Sequence, residues 1–279
     1  MSQPLSQWQR LLKNAGTWQG SFTQVSPYGE ILIDTPTEVA LLPQKDNQAM
    51  RQEIHRDPSG AAPKTTVLEY SSLSRATLFF EDGAFSQGST QWGPFSEFGA
   101  ELGLISGDRR LRLVQLFDKT QALKQITLIR EQLKGSRTPE RSPLKVSDLI
   151  GTWEGKSVTQ YADLQPEQTQ QTQLKLEDIG GDRLRQTLTF SQSSPPIVST
   201  GTINGQTIQF SEGAQTVQVL LLPDGASATF PPQITPRQPL FLEVGWLLNA
   251  HTRQRMIRCY DAAGAWVSLT LVTEHKQSF

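Results

Sequence analysis

The chain has 279 residues, a formal net charge of −1 and a single cysteine, Cys259. Domains usually span about 100–200 residues, so the length predicts two of them, and the near-neutral charge argues against a nucleic-acid partner, which would require a basic face. One cysteine cannot form an internal disulfide, which favours a reducing compartment such as the cytosol or a stroma-like space. No apolar run approaches the ~18 residues of a transmembrane helix, so a soluble protein is expected.

A short helix is predicted at the N-terminus. Leu5, Trp8, Leu11 and Leu12 follow Pro4 at helical spacing, which places their side chains on one face of a helix. We expect this amphipathic helix to plug the open end of the domain that follows it.

One sequence pattern occurs twice. Gly16-Thr17-Trp18-Gln19-Gly20 returns as Gly151-Thr152-Trp153-Glu154-Gly155. Further echoes follow in the same order, pairing Asp82-Gly83-Ala84 with Asp224-Gly225-Ala226, Glu101-Leu102-Gly103 with Glu243-Val244-Gly245, and Arg112 with Arg255. Ordered echoes over so long a period indicate a duplicated domain rather than a solenoid.

A charged segment containing proline and glycine, 134–145, separates the two copies. Such a composition cannot build a core and is typical of a linker. We therefore predict a first domain at 1–133, a linker at 134–145 and a second domain at 146–279.

Both copies have the pattern of β-strands. Segments such as 112–117 and 125–130 in the first copy, and 185–190 and 266–271 in the second, alternate or cluster β-branched and apolar residues between turn signals. Many short strands joined by hairpins are typical of an up-and-down barrel. The predicted fold is all-β, with two tandem antiparallel up-and-down β-barrels from an internal duplication and a short N-terminal helix.

Trp18 and Trp153 are predicted to be structural residues that close the floors of their barrels. A tryptophan in this position commonly lies beneath an arginine from a late strand, in a cation–π contact. Arg130 fits that role in the first copy, whereas Thr273 gives the second copy no obvious equivalent.

Aromatic residues are concentrated between Phe79 and Glu101, in a segment rich in glycine. Aromatic side chains on short glycine-rich connections suit a flat apolar ligand at a barrel mouth. The favoured alternative is that they seal a domain interface or belong to the core itself. The candidate ligand contacts in this segment are Phe85, Trp92, Phe95 and Phe98.

Charged residues that recur in both copies are the polar candidates for the same ligand. Because side chains alternate along a strand, Arg110 and Arg112 share one face and Leu111 and Leu113 share the other. Arginines that face the barrel interior would suit a carboxylate ligand. Arginines that face outward would form a solvated surface, and this orientation is favoured because it places the apolar leucines in the core. The charged candidates are Glu101, Arg110, Arg112, Glu243 and Arg255, and Trp246, which follows Gly245, is a further candidate ligand contact.

The sequence contains no pattern that is typical of catalysis or metal binding. His55, His251 and His275 are far apart, so no metal site is predicted. Hydrolase elbows, phosphate-binding loops and dinucleotide fingerprints are missing too. No catalytic residue is assigned, no cofactor is required, and a role other than an enzyme is favoured.

A Gly-x-Trp strand start, preceded by a short helix and followed by an antiparallel meander, resembles the lipocalin or calycin superfamily. The whole chain, including the segments 94–101, 107–112 and 243–246, resembles an uncharacterised family of cyanobacteria and chloroplasts with two calycin-like domains. A more distant likeness is to the lipocalin-like bilin lyases. The resemblance implies two lipocalin-like barrels and a cyanobacterial cytosol or stroma-like location, but carries over no activity.

Two functions remain open. In the first, the protein binds a hydrophobic or amphipathic small molecule without catalysis, with a tetrapyrrole or other pigment as a candidate. In the second, it is a scaffold or assembly factor that docks onto a photosynthetic protein complex. A chromophore lyase or isomerase is the third choice, because no acid–base or nucleophile arrangement is visible.

Overall fold

The structure, a computed structural model, describes residues 4–190 and 195–277. The first copy begins with the helix α1 (Gln7–Leu11) and a 3₁₀ turn (Leu12–Asn14), and a second helix, α2 (Val146–Leu149), precedes the second copy. Ser6 caps α1 through its hydroxyl, and the Gln9 side chain accepts a bond from the Ser6 backbone in return, which satisfies N–H groups that have no partner within the helix. No helix in the described ranges is long and apolar enough to cross a membrane.

The first copy forms a nine-stranded antiparallel sheet whose two edge strands do not pair with each other. Its order is β4-β3-β2-β1-β9-β8-β7-β6-β5. The strands are β1 (Gly16–Val25), β2 (Ile31–Gln44), β3 (Ala49–Arg56), β4 (Lys64–Tyr70), β5 (Thr77–Phe79), β6 (Phe85–Gly88), β7 (Phe98–Ser106), β8 (Arg109–Phe117) and β9 (Leu123–Leu133). The sheet curls into a barrel that stays open between β4 and β5.

The second copy forms a closed antiparallel barrel of ten strands in sequence order. The strands are β10 (Gly151–Tyr161), β11 (Gln168–Asp178), β12 (Arg183–Thr189), β13 (Ile197–Asn204), β14 (Thr207–Phe210), β15 (Val217–Leu221), β16 (Ala226–Phe230), β17 (Leu240–Asn249), β18 (Thr252–Tyr260) and β19 (Trp266–Lys276). Closure leaves no free edge in this sheet.

The two copies share one strand register, which confirms the predicted duplication and the predicted pair of barrels. Gly16 pairs with Leu41 in the first copy as Gly151 pairs with Leu176 in the second. The copies differ in one respect that the sequence did not predict: the first barrel does not close.

A deletion explains the open side of the first barrel. Pairing with the neighbouring strands aligns Tyr70 with Gly201 and Thr77 with Val219. The six residues 71–76 therefore stand where the second copy has the seventeen residues 202–218, which include all of β14. This irregular connection takes the place of the strand that closes the second barrel.

The largest hydrophobic core lies between the two barrels rather than inside either one. It combines Leu111 and Leu113 on the outer face of β8 with Val244, Trp246 and Met256 on the outer faces of β17 and β18. Burial of this much apolar surface favours a fixed arrangement of the two copies.

The segment between the copies, 134–145, packs along both barrels. Its Glu140 forms an ion pair of 2.6 Å with Arg130 of β9. Leu144 is buried, and its N–H donates to the carbonyl of Leu222 at 3.0 Å. These contacts fasten the connection to each copy in turn.

Candidate functional site

Each barrel is floored by a tryptophan at the start of its first strand. Trp18 and Trp153 are 1% and 0% exposed. Their indole N–H groups donate to the carbonyls of Asn14 at 2.9 Å and Leu149 at 2.8 Å, four residues earlier in each case. The bond ties each tryptophan to the helical segment that precedes its barrel.

An arginine from the penultimate strand covers each tryptophan. The guanidinium carbon of Arg110 lies 4.4 Å from the ring centroid of Trp18, and that of Arg253 lies 5.2 Å from the ring centroid of Trp153. The prediction that Arg130 covers Trp18 was wrong, because its guanidinium bonds to Ser21, Thr23 and Glu140. The second copy does have an arginine in this role.

Arg110 and Arg112 of β8 face the barrel interior and form a buried cluster with two carboxylates. Arg112 donates to Glu101 at 2.6 Å and to Glu131 at 2.9 Å and 3.0 Å, and Arg110 donates to Glu131 at 2.7 Å. The outward orientation that Leu111 and Leu113 favoured is wrong. Those leucines are buried because the second barrel covers the outer face of β8.

The second barrel repeats this cluster. Arg255 donates to Glu243 at 2.9 Å and 3.1 Å and lies 3.7 Å from Glu274. Arg253 pairs with Glu274 as well. Each barrel therefore holds two arginines and two glutamates beside its tryptophan.

The charges within the cluster compensate each other. Burial raises the pKa of Glu131, but the neighbouring charges of Arg110 and Arg112 outweigh burial and lower it to about 2. Glu131 is therefore ionised at neutral pH and accepts hydrogen bonds from both arginines. A cluster in this state is a structural element, and it offers neither a proton donor nor a nucleophile near pH 7.

The open first barrel contains a cavity of about 490 Å³. Volumes of several hundred cubic ångströms suit drug-sized ligands. Phe79 and Phe85 stack in its wall with ring centroids 5.2 Å apart and an interplanar angle of 27°. Its other apolar lining residues include Phe22, Val39, Leu41, Ile54, Leu68, Val114 and Ile129, and its polar ones include Gln52, Arg56, Tyr70, Gln87, Glu101, Arg110 and Arg112.

The structure brings only part of the predicted ligand site together. Phe85, Glu101, Arg110 and Arg112 all line the cavity of the first barrel. Glu243 and Arg255 belong to the separate cluster of the second barrel.

The remaining candidates lie away from both barrel interiors. Trp92, Phe98 and Trp246 are buried in the core between the barrels, where the Phe98 ring contacts the Tyr260 ring edge-on at 4.8 Å. Phe95 is 82% exposed on a loop. The aromatic residues of this segment therefore have different surroundings: Phe85 lines the cavity of the first barrel, whereas Trp92 and Phe98 belong to the core between the barrels.

Several residues of the site were not predicted from the sequence. Glu131 and Glu274 occupy equivalent positions in β9 and β19, so the repeat itself could have identified them. Arg56 and Tyr70 gave no such signal, because neither has a counterpart of its type in the second copy.

Comparison with known proteins matches each copy to a separate domain. Residues 5–136 match the N-terminal domain of DUF3598, a domain of unknown function. Residues 140–277 match the C-terminal domain of the biogenesis factor required for ATP synthase 1. No curated protein matches the chain.

Two solved structures are similar to the chain to very different degrees. A protein of unknown function from the DUF3598 family of Nostoc punctiforme is 47% identical, with a TM-score of 0.93 over 98% of this chain and 100% of the Nostoc chain. An S-type phycobiliprotein lyase from Guillardia theta is 11% identical, with a TM-score of 0.39 over 48% of this chain and 91% of the lyase.

The similarity to the Nostoc protein shows the family of this chain, since it extends over both copies and the connection between them. This confirms the resemblance to a cyanobacterial family of two tandem barrels. The chain belongs to the DUF3598 family.

Proposed function

We propose that this chain is a non-catalytic binding protein whose first barrel takes up a hydrophobic or amphipathic small molecule. The observation that carries the proposal is the cavity of about 490 Å³ in the open barrel. Its wall combines apolar and aromatic side chains with a few polar groups, which is the usual composition of a small-molecule site.

The difference between the copies supports assigning the guest to the first barrel. The connection 71–76 replaces a hairpin of the second copy, and its residues Ser72, Leu73 and Ser74 line the cavity between β4 and β5. The stacked pair Phe79 and Phe85 offers a flat aromatic wall, which makes a tetrapyrrole a candidate guest. The relative in Nostoc is cyanobacterial, and we propose a cytosolic location.

A titration with two probes tests the proposal. Nile red is a neutral apolar dye that reports its surroundings by its emission, and biliverdin is a tetrapyrrole that quenches tryptophan fluorescence. We expect saturable binding of at least one probe with a one-to-one stoichiometry. Absence of saturable binding by either probe up to about 100 µM, a free energy of only about −5 kcal/mol, would overturn the proposal.

Two neighbouring residues of β4 supply a matched pair of variants. Leu68 lines the cavity and is 47% exposed, whereas Val67 is 43% exposed and points to the opposite face of the strand. We expect Leu68→Glu to weaken probe binding by about tenfold, because it places a charge in the apolar opening. Val67→Glu should bind as the unaltered protein does, and equal effects of both changes would place the probe elsewhere.

A second candidate function is an assembly factor for ATP synthase. Residues 140–277 match the C-terminal domain of a protein whose name states such a role. The turn and strand at the start of β2 also expose apolar residues that suit a protein partner. Tyr28, Ile31, Leu32 and Ile33 are 78%, 57%, 58% and 51% exposed.

Purified ATP synthase and its separated subunits test the second candidate. An assembly factor is expected to bind a free subunit and to be released when the complete enzyme forms. Leu32→Ser should weaken that binding, and Leu164→Ser, which changes a residue 78% exposed on the second copy, is the control. Failure to bind any separated subunit would contradict this function and would leave the small-molecule proposal unaffected.

A further inference from the structure

The cavity of the first barrel contains three arginines, and their hydrogen-bonding capacity is used to different degrees. Arg112 is committed to Glu101 and Glu131. Arg110 is 2% exposed, and its Nη2 is buried without a hydrogen-bond partner among residues 4–190 and 195–277. The guanidinium of Arg110 lies over the Trp18 ring, at the floor of the cavity.

Arg56 is the third arginine and is not neutralised by a carboxylate. The ion pairs of the described residues do not include it. Its guanidinium carbon lies 5.2 Å from the ring centroid of Phe22, and that of Arg112 lies 5.4 Å from the same centroid. Arg56 therefore lies beside the neutral cluster and adds one uncompensated positive charge to the cavity.

The second copy shows that these polar groups are not required by the barrel itself. Val39 pairs with Ile54 as Leu174 pairs with Leu188, so the position two residues after Ile54, Arg56, corresponds to Phe190. Tyr70 corresponds to Gly201 by the same comparison of registers. The closed barrel has an aromatic ring and a glycine where the open barrel has a guanidinium and a phenol.

We propose that the guest of the first barrel carries a carboxylate, which Arg56 binds. The inference rests on the proposed function, because it names the chemical class of the molecule that enters the same cavity. The carboxylate neutralises the charge that Arg56 adds, while the apolar body of the guest packs against Phe79 and Phe85. A guanidinium fork is well shaped for a carboxylate.

Tyr70 supplies another donor to the cavity, at the end where its ring meets that of Trp8 of α1 edge-on with centroids 6.2 Å apart. Its hydroxyl bonds to Gln52 at 3.3 Å, which is long enough to be exchanged for a better acceptor. Burial raises the pKa of the Tyr70 phenol, although the charge of Arg110 opposes this. The phenol is therefore protonated at neutral pH and can donate to a carboxylate.

Matched pairs of acids and neutral analogues test the inference on the unaltered protein. Dodecanoate is compared with dodecanol, and biliverdin with its dimethyl ester, each as a competitor of bound Nile red. We expect the acid of at least one pair to bind about tenfold more tightly than its neutral analogue. Preference for dodecanoate would identify an acyl chain as the apolar body, and preference for biliverdin a tetrapyrrole; either supports the shared carboxylate chemistry.

Variants of Arg56 locate the carboxylate. Arg56→Gln should remove the preference for the acid and leave the affinity for the neutral analogue unchanged within about twofold. Arg56→Lys should restore part of the preference, because it keeps the charge but loses the planar fork. Arg75→Gln is the control, since Arg75 is an exposed arginine on the connection 71–76 that does not line the cavity.

The outcomes separate this inference from the proposed function. If Nile red binds but acids and neutral analogues compete equally, or if Arg56→Gln keeps the preference, the carboxylate inference is overturned while the binding function stands. If neither Nile red nor biliverdin binds, the proposed function fails and the inference fails with it.

Discussion

The guanidinium carbon of Arg258 lies 3.7 Å from the ring centroid of Trp266. Arg258 is fully buried between the barrels. Within the described part of the chain its hydrogen-bond partners are neutral: the hydroxyls of Tyr260 at 2.8 Å and Ser86 at 3.3 Å, and the carbonyls of Ser89 at 3.2 Å and Ala76 at 3.4 Å. Since three of these partners belong to the first copy, a single cation joins the two barrels.

Replacing this cation is expected to destabilise the whole chain. Arg258→Met keeps an apolar stem, but removes a desolvated cation–π contact worth about 2 kcal/mol and leaves the partly buried Ser89 carbonyl with one donor fewer. We expect a loss of about 2–4 kcal/mol in the free energy of unfolding, measured by denaturant melts. Arg183→Met, at an exposed position at the start of β12, should change it by no more than about 0.5 kcal/mol.

The floor tryptophans give the second prediction. Trp18→Ala and Trp153→Ala each remove a buried indole that also donates a hydrogen bond, and core changes of this size cost about 3–5 kcal/mol. Denaturant melts should show a loss of this order for both. Tyr28→Ala, at a side chain 78% exposed, is the control. A loss near zero for either tryptophan would mean that it does not support its barrel.

The sequence predicted the architecture well because the fold repeats. The Gly-x-Trp start recurs at the same place in the strand register of each copy, since Trp18 pairs with Val39 as Trp153 pairs with Leu174. Alternation within a strand identified which residues share a face. Both signals can be recognised in the sequence without knowledge of the contacts between domains.

The site was harder to predict because β8 is buried on both faces. Arg110 and Arg112 face the interior of their own barrel, while Leu111 and Leu113 meet the second barrel. Apolar residues on one face of a strand show that this face is covered, but not by which part of the protein. Trp92 was predicted in a ligand site from the concentration of aromatic residues on glycine-rich connections, which does not distinguish a ligand from the core between the barrels, where Trp92 lies.

The open side of the first barrel could not be predicted from strand patterns either. No structure was predicted from the sequence for residues 71–76, whose effect appears only when Tyr70 and Thr77 are aligned with the second copy. The absence of this strand can be recognised only by aligning the two copies, because no single segment of the sequence indicates it.

A third prediction concerns acid stability. The pKa of Glu131 is lowered from 4.5 to about 2 in the folded state, because Arg110 and Arg112 outweigh the effect of burial. A carboxylate with a lowered folded pKa stabilises the protein fully above its unfolded pKa, and this contribution is lost as the pH falls from about 4.5 towards 2. The contribution at neutral pH is of the order of 3 kcal/mol.

Denaturant melts between pH 7 and pH 2 measure this contribution. Glu131→Gln should lower stability at pH 7, since two buried arginines lose an anion, and should flatten the decline between about pH 4.5 and 2. Glu140→Gln removes a partly exposed partner of Arg130 and should keep the profile of the unaltered protein. An unchanged slope for Glu131→Gln would show that Glu131 does not contribute to the acid sensitivity.

The last prediction compares a buried ion pair between the barrels with an exposed one. Arg109 contacts Asp224 at 2.5 Å, and their side chains are 4% and 0% exposed. Asp224 has a φ of +57°, which asparagine tolerates, so Asp224→Asn removes the charge without backbone strain. We expect a loss of about 3 kcal/mol in denaturant melts, because Arg109 remains buried without its counter-ion. Adding Arg109→Met to Asp224→Asn should recover part of that loss, since one of the two charges that Asp224 balances is then gone. The other belongs to Arg141, whose Nη1 lies 3.8 Å from the Asp224 carboxylate.

Glu177→Gln breaks the exposed pair of Glu177 with Lys175, whose side chains are 37% and 49% exposed, and should cost about 0–1 kcal/mol. Equal losses for Asp224→Asn and Glu177→Gln would mean that water reaches the space between the barrels.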